Sequence, residues 1–379
     1  MKTTIAKEKL LEMLSGSIRL TTGIRQANEN LGIFFHLKNH DLEVFGVHEN
    51  RYYYVKHTFD GEVVEEVIFT IDTKKLLEFI QSLNVDNIQF EVINNGLKIY
   101  GGKTSALFLI SRLQNIPDID KKEVGKIQLN PKILSTALKS LLFCVAADSA
   151  RPTLSSIKFI PIDENRILII STDGFRLSLV NSSLPGTLSK PLQIPANFLR
   201  DVFFTLIRQD SLVELIFYEN NSVGIKQADL QVGTQLVSGD FPPYERVMLK
   251  SFEHNIILSK RILTQMVKTM SIFARDYSKI VVFEFGQNIL RIRPKKEAGI
   301  DNLTEMEVET QGVSPEDLKI AFNYNYILDY LSSVEDENIT IRINRSDAPV
   351  LFLPGRVDIA EAHEGALYQH IIMPVRIQE

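Results

Sequence analysis

The segment Ile194–Val202, "IPANFLRDV", decides the fold, because its pattern occurs three times. Its counterparts are Ile71–Phe79, "IDTKKLLEF", and Phe322–Tyr330, "FNYNYILDY". Ile71, Leu76, Ile80 and Leu83 align with Ile194, Leu199, Phe203 and Leu206 at a shift of 123, and these with Phe322, Ile327, Leu331 and Val334 at 128. Each set has the three-to-four spacing of one helix face. A second helical pattern keeps the same schedule. Leu10, Leu11 and Leu14 match Ile133, Leu134 and Ala137, and these match Ile262, Leu263 and Met266. Two independent segments recurring together indicate three homologous domains. The charged, Pro- or Gly-bearing stretches Asn115–Gly125 and Pro242–Glu253 serve as linkers, giving domains over 1–120, 125–246 and 253–379.

After the later helix of each unit the period changes to two. "NIQFEVINNGLKIYGG", "SLVELIFYENNSVGIKQ" and "NITIRINRSDAPVLFLP" each read as strand, turn, strand, with Asn-Gly or a polar cluster at the turn. Runs of strands between single helices imply an α+β chain, each repeat carrying two helices on antiparallel sheets.

Composition excludes several classes. A chain of 379 residues, 44% hydrophobic and 23% charged, is a folded multi-domain protein. Cys144 is the only cysteine, so no intrachain disulfide exists, and its apolar setting "LLFCVA" marks a packing residue rather than a nucleophile. The N-terminal "MKTTIAKEKLLEML" lacks a continuous apolar core, and no apolar run is long enough to span a membrane. A reducing, cytosolic setting is expected. The net charge of −5 argues against a protein that grips nucleic acid all over, though not against a local basic face.

The chemical motifs are weak. "GGKTS" (Gly101–Ser105) lacks the glycine that a phosphate loop needs five residues upstream. His36 and His40 flank an Asn-His-Asp turn between strands, and His363-Glu364 lacks a second histidine, so no metal or cofactor is expected. "ISTDGFRL" (Ile170–Leu177) holds an acid and a guanidinium three residues apart, and an enzyme using Asp173 and Arg176 is one rival reading. Asp-Gly between two apolar strands is first a hairpin turn, with both turn positions at positive φ. Phe175, Leu177 and Leu179 then share one strand face and Arg176 the other. The apolar tail "YQHIIMPVRIQE" is either an edge strand or the wall of a groove.

The helices repeat their cations. Lys9, Lys132 and Arg261 occupy matching positions, and Lys139 and Lys268 follow seven residues on. The third copy, Lys260–Arg275, adds Lys260 and Arg275 and has no acid before Asp276. Repeated cations on one face of an acidic protein suggest a polyanion contacted through phosphate rather than base edges. A solvated helix face on a protein-binding scaffold without DNA association is the second rival.

"STDGFRLSLV", "SGDFPPYERV", "FNYNYILDYL" and "IIMPVRI" appear in order and together resemble the bacterial sliding clamp, the beta subunit of DNA polymerase III. The resemblance covers essentially the whole chain and is weakest in the first domain, where it rests on the repeat and "GIRQANENLGIFFHL". It implies a non-catalytic homodimeric ring around double-stranded DNA that tethers the replicative polymerase, the clamp loader and other proteins bearing clamp-binding motifs. It implies a peptide pocket at Leu154, Thr172, Gly174, Phe175, Arg176, Leu177, Pro242, Arg246 and Val247, completed by Asn323, Tyr326, Ile371, Met373, Pro374, Val375 and Arg376. It places Arg25, Lys74 and Arg151 toward DNA with the helix cations. It sets Ala106, Leu107 and Phe108 against Ile272 and Phe273 of a second copy. Phe175 departs from the family, where a basic or smaller polar residue is common. Asp148, Pro152-Thr153 and Ala196-Asn197 also depart, at second-domain positions near the expected DNA contacts.

Overall fold

The three recurring segments fold as helices of equal length: α2 (Thr73–Ser82), α4 (Ala196–Thr205) and α6 (Tyr324–Ser333). The other pattern gives α1 (Lys7–Thr21), α3 (Pro131–Leu141) and α5 (Lys260–Ala274). In this computed structural model the described residues are 3–21, 32–48, 50–59, 66–116, 122–147, 150–183, 188, 190–276, 278–295, 302–312, 315, 318–358 and 367–376. Arg25, Asp148 and His363-Glu364 lie outside them.

The helices start two residues later than their apolar pattern. Asp72 accepts a hydrogen bond from the Lys75 amide at 3.0 Å and Asn323 one from the Asn325 amide at 3.0 Å, which fixes the first turns of α2 and α6. Ile194 and Phe322 belong instead to the preceding strands. Leu83 and Val334 are C-caps, and Leu206 follows the end of α4. The apolar signal thus runs through both caps, since the flanking residues are also packed inside.

Two compact units emerge, residues 1–132 with 197–236, and 133–196 with 237–379. The first holds a four-stranded sheet in the order Thr3–Ala6, Asn87–Ile93, Gly96–Gly101, Thr104–Leu109. Its nine-stranded sheet runs Glu123–Leu129, Val213–Tyr218, Ser222–Gln227, Leu230–Gln235, Arg51–Thr58, Asp41–His48, Ile33–Lys38, Val67–Thr70, Ser111–Leu113. In the second unit the nine-stranded order is Leu192–Pro195, Ser156–Pro161, Arg166–Thr172, Arg176–Ser183, Tyr368–Ile372, Val350–Pro354, Asn338–Ile343, His254–Ser259, Glu309–Gly312. Its four-stranded sheet is Thr304–Glu307, Ile289–Pro294, Ile280–Gly286, Leu318–Asn323. Every pairing given is antiparallel, so the fold is α+β as the alternation implied.

The strand pairs at the middle of each large sheet explain why the units cut across the repeats. Leu230–Gln235 pairs with Arg51–Thr58, and Arg176–Ser183 pairs with Tyr368–Ile372. Each pair joins strands from consecutive repeats into one continuous ladder. At the first, Gly233 stands opposite Tyr52, and a Cβ there would lie 2.1 Å from the Tyr52 ring, so only glycine admits the tyrosine. The tail strand Tyr368–Ile372 is therefore an interior strand, held on both sides, and not the edge strand that was one expectation. Its alternate backbone ladders use up the groups that an edge would leave open.

Smaller corrections follow from turn geometry. In "INNG" the turn is Asn94-Asn95, with Asn94 at φ 51°, and Gly96 already pairs with Ile93. Lys260 does not present its charge on the helix face: its Nζ donates to the Val334 carbonyl at the end of α6. Lys7 does the same to Leu83 at the end of α2. Both satisfy a terminal carbonyl with a cation where the helix end favours one. No helix is long and apolar enough to cross a membrane among the described residues.

Candidate functional site

The hairpin at Asp173 is held by its own side chains. Thr172 pairs with Leu177, leaving a tight tip between them. Asp173 Oδ1 accepts the amides of Phe175 at 2.9 Å and Arg176 at 3.0 Å, and Thr172 Oγ1 accepts the Gly174 amide at 3.0 Å. Thr172 in turn donates to the Arg176 carbonyl at 2.6 Å. Of the two expected turn positions, Gly174 alone has positive φ, at 93°; Asp173 does not, because its carboxylate closes the turn as an Asx motif instead. A Cβ on Gly174 would meet nothing, so the backbone angle is what calls for glycine.

Arg176 lies beneath this tip. Its Nε donates to Asp173 Oδ2 at 2.9 Å, Nη1 to Asp329 Oδ2 at 2.6 Å, and Nη2 to the Phe143 carbonyl at 2.6 Å. The guanidinium also stacks over Tyr326 at 4.3 Å and Phe143 at 5.3 Å. Burial opposes the charge, but the bonds to Asp329 and the Asp173 carboxylate outweigh it, so its pKa moves up. Both oxygens of Asp173 are committed to the hairpin and the guanidinium. No group of three or more His, Cys, Asp or Glu side chains able to hold a metal occurs among the described residues.

Beside the tip opens a cleft of about 110 Å³, mostly apolar. Its lining includes Thr172, Gly174, Phe175, Arg176, Leu177, Pro242, Val247, Ile371 and Met373, all foreseen, together with Pro243 and Tyr244, which were missed. The missed pair sits inside the quoted "FPPYERV", where the run of prolines and aromatic rings was the available signal. Leu177 and Ile371 form the floor and belong to a buried cluster with Ile170, Leu179, Phe241, Leu351 and Leu353. Phe175 does not share their burial. It is 61% exposed at the rim, because the strand face it was assigned to begins only after the tip. Behind it the tail is pinned twice: the Met373 amide donates to the Phe175 carbonyl at 2.9 Å and the Val375 amide to Ala321 at 2.8 Å.

The remaining expected pocket residues do not line the cleft. Leu154 is buried in a loop where its carbonyl accepts the Ala146 amide. Arg246 and Arg376 are exposed, and Val375 and Pro374 are half-buried. Asn323 is the cap of α6, and Tyr326 is the platform under Arg176.

Deeper in this unit, His370 donates to or accepts from Ser178 at 2.8 Å and stacks on Tyr330. Burial, then the nearby Arg176 charge, pushes its pKa well below the usual value. Cys144 is fully buried, and desolvation raises its thiol to about 12, which leaves it unreactive as expected.

The cations expected to face DNA divide into two groups. Lys74, Lys132, Lys139, Arg151, Arg261 and Lys268 are exposed and form no ion pair among the described residues. Lys9 is different: it lies 3.7 Å from Glu12, which Arg208 also approaches at 3.7 Å. Of the residues expected to meet a second copy, Ile272 and Phe273 are exposed near the end of α5. On Thr104–Leu109, which ends its sheet, Leu107 is exposed but Phe108 points inward onto Phe79, ring centroids 5.5 Å apart. Strand alternation makes Leu109, 81% exposed, the partner of Leu107 on the open face.

Residues 128–243 match the family model described as DNA polymerase III beta subunit, central domain, and residues 245–374 the model for its C-terminal domain. The chain belongs to the DNA polymerase III beta subunit family, the beta sliding clamps. It is 23% identical over 321 residues to the beta sliding clamp of Streptococcus pneumoniae, covering 83% of this chain and 80% of that protein. The beta sliding clamp of Chlamydia muridarum is 22% identical over 323 residues, with 84% of each covered. Among solved structures, the DNA polymerase III beta subunit of Thermotoga maritima superposes with a TM-score of 0.88 at 20% identity over the full length of both chains. The sliding clamp of Bacillus subtilis gives 0.87, also at 20% identity and full coverage. The clamp fold thus extends over the whole chain, including the first repeat, where sequence resemblance was weakest.

Proposed function

We propose that this clamp-family protein works as a DNA sliding clamp: two copies close head to tail into a ring around duplex DNA. The three repeats, 1–120, 125–246 and 253–379, then supply six similar domains per ring. The cleft beside the Asp173 hairpin docks short apolar motifs of a replicative polymerase, a clamp loader and other replication or repair proteins. The chain carries out no chemistry of its own.

The observation that carries the reading is the set of exposed cations without acidic partners among the described residues, Lys74, Lys132, Lys139, Arg261 and Lys268 on helices and Arg151 at a bend, in a chain of net charge −5. Free cations meet phosphates without reading bases, which lets a closed ring hold DNA and still slide. Leu107 and Leu109 on an end strand, with Ile272 and Phe273, supply apolar surface for a head-to-tail contact. The test is mass in solution at micromolar concentration. Two chains per particle are expected, falling to one when Leu107→Glu and Leu109→Glu are combined. A wild-type single-chain particle would contradict the ring.

A further inference from the structure

We infer that Arg176 serves the cleft as a positioning residue: it clamps the hairpin tip that bears Phe175 against α6, and it offers no charge to the docked ligand. The inference rests on the reading of the cleft as a peptide-docking site and says how that site is held in shape.

Three observations lead there. The guanidinium spends donors from all three of its nitrogens inside the protein, on Asp173, Asp329 and the Phe143 carbonyl, and its faces meet Phe143 and Tyr326. An arginine so committed and only 8% exposed has little left for a ligand carboxylate. Second, its bonds converge on the tip. Asp173 takes the guanidinium through one oxygen and the Phe175 and Arg176 amides through the other, while the Phe175 carbonyl receives the Met373 amide. Arg176, the tip and the tail wall are one chain of bonds, and a shift at Asp329 is transmitted to Phe175 and Met373.

The third observation comes from the first unit. Arg51 opens its strand just as Arg176 does, and its Nη1 reaches Asp201 Oδ2 at 3.4 Å. Asp201 on α4 and Asp329 on α6 sit at the same place in helices of equal length. The arginine-to-helix tie therefore recurs where consecutive repeats share a strand ladder. It is a fastener of the joint. In the second unit the Asp173 carboxylate and the two aromatic rings adapt it to fix a binding wall. The cleft then selects its ligand by apolar shape at Leu177, Ile371 and Phe175, with no ionic partner from Arg176.

Asp329 separates positioning from contact, because it does not line the cleft. The probes are two fluorescent octapeptides, each carrying two leucines and a phenylalanine, one with an aspartate and one with asparagine in its place. With Asp329→Asn, a loss of roughly tenfold in affinity for both peptides is expected, through faster dissociation. Arg176→Gln should give a similar loss for both, and the double variant little more, since the pair acts as one unit. Amide hydrogen exchange is the second readout. Phe175, Arg176 and Met373 should exchange faster in Asp329→Asn, while the remainder of that sheet is unchanged. Unchanged exchange at these amides, or unchanged affinity in Asp329→Asn, overturns the inference. So does a loss in Arg176→Gln confined to the aspartate peptide, which would make Arg176 a direct ionic contact. If wild type binds neither peptide, the docking reading fails, and the exchange result alone decides the clasp.

Discussion

Neutralising Arg261 and Lys268 together should flatten the salt dependence of DNA association without harming the fold. Both are exposed on α5 and free of ion pairs among the described residues, so each is available to a phosphate. Arg261→Ala with Lys268→Ala removes two cations per chain and four per two-chain ring. Each neutralised phosphate contributes about 0.9 to the slope of log affinity against log salt. Losing two to four contacts lowers the slope by about 1.8 to 3.6. From about 50 to 200 mM salt, wild-type affinity should then fall about 12- to 150-fold more than that of the variant. The assay is fluorescence anisotropy on a short duplex with open ends, where contact rather than topology limits retention. Alanine is a strong helix former, so the melting temperature should hold. Lys9→Ala is the internal control and should change the slope less, as Lys9 already faces Glu12. Equal slopes for wild type and the double variant would refute the reasoning that these helices meet phosphate.

Gly233→Ala should destabilise the first unit by about 3 kcal/mol, because the added methyl displaces the buried Tyr52 ring from the strand joint; thermal melting checks it, and Tyr52→Leu in the same chain should recover part of the loss. Stability of the second unit should fall as pH drops through about 6.5, the unfolded histidine value, toward the depressed folded value of His370. Neutral His370 is required in the fold, and the unfolded chain binds the proton, so the slope approaches 1.36 kcal/mol per pH unit for one group. Urea midpoints at several pH values measure this, and His370→Gln should remove most of it. Deleting Met373–Glu379 should abolish apolar-peptide binding while leaving the two-chain mass unchanged, since the strand Tyr368–Ile372 and its ladders remain.

What the sequence revealed follows the range of each interaction. The helices were legible because Leu76 and Ile80, or Leu263 and Met266, repeat within a turn or two. Their exact starts depended on whether Asp72 and Asn323 cap, which an apolar pattern does not show. The hairpin at Asp173-Gly174 was legible from two residues, but its closure by the aspartate carboxylate was not. The strand ladders joining Leu230–Gln235 to Arg51–Thr58 and Arg176–Ser183 to Tyr368–Ile372 link segments far apart in the chain, so the tail's interior place was hidden. Charges posed the same problem. A lysine in a sequence shows its sign and not its partner, and Lys260 and Lys9 turned out to have partners while Arg261 and Lys268 have none among the described residues. Most of the cleft residues were named through family resemblance. Arg176's commitment to Asp329, 153 residues away, required the fold.

Retention on DNA tests the central claim most directly. The protein is loaded onto a nicked circular plasmid, washed at high salt, and the plasmid is then cut once. A closed ring should stay on the circle through the wash, when phosphate contacts are screened, and slide off after the cut. Loss from the uncut circle in high salt, or equal retention before and after linearisation, would contradict a clamp that holds DNA by encircling it.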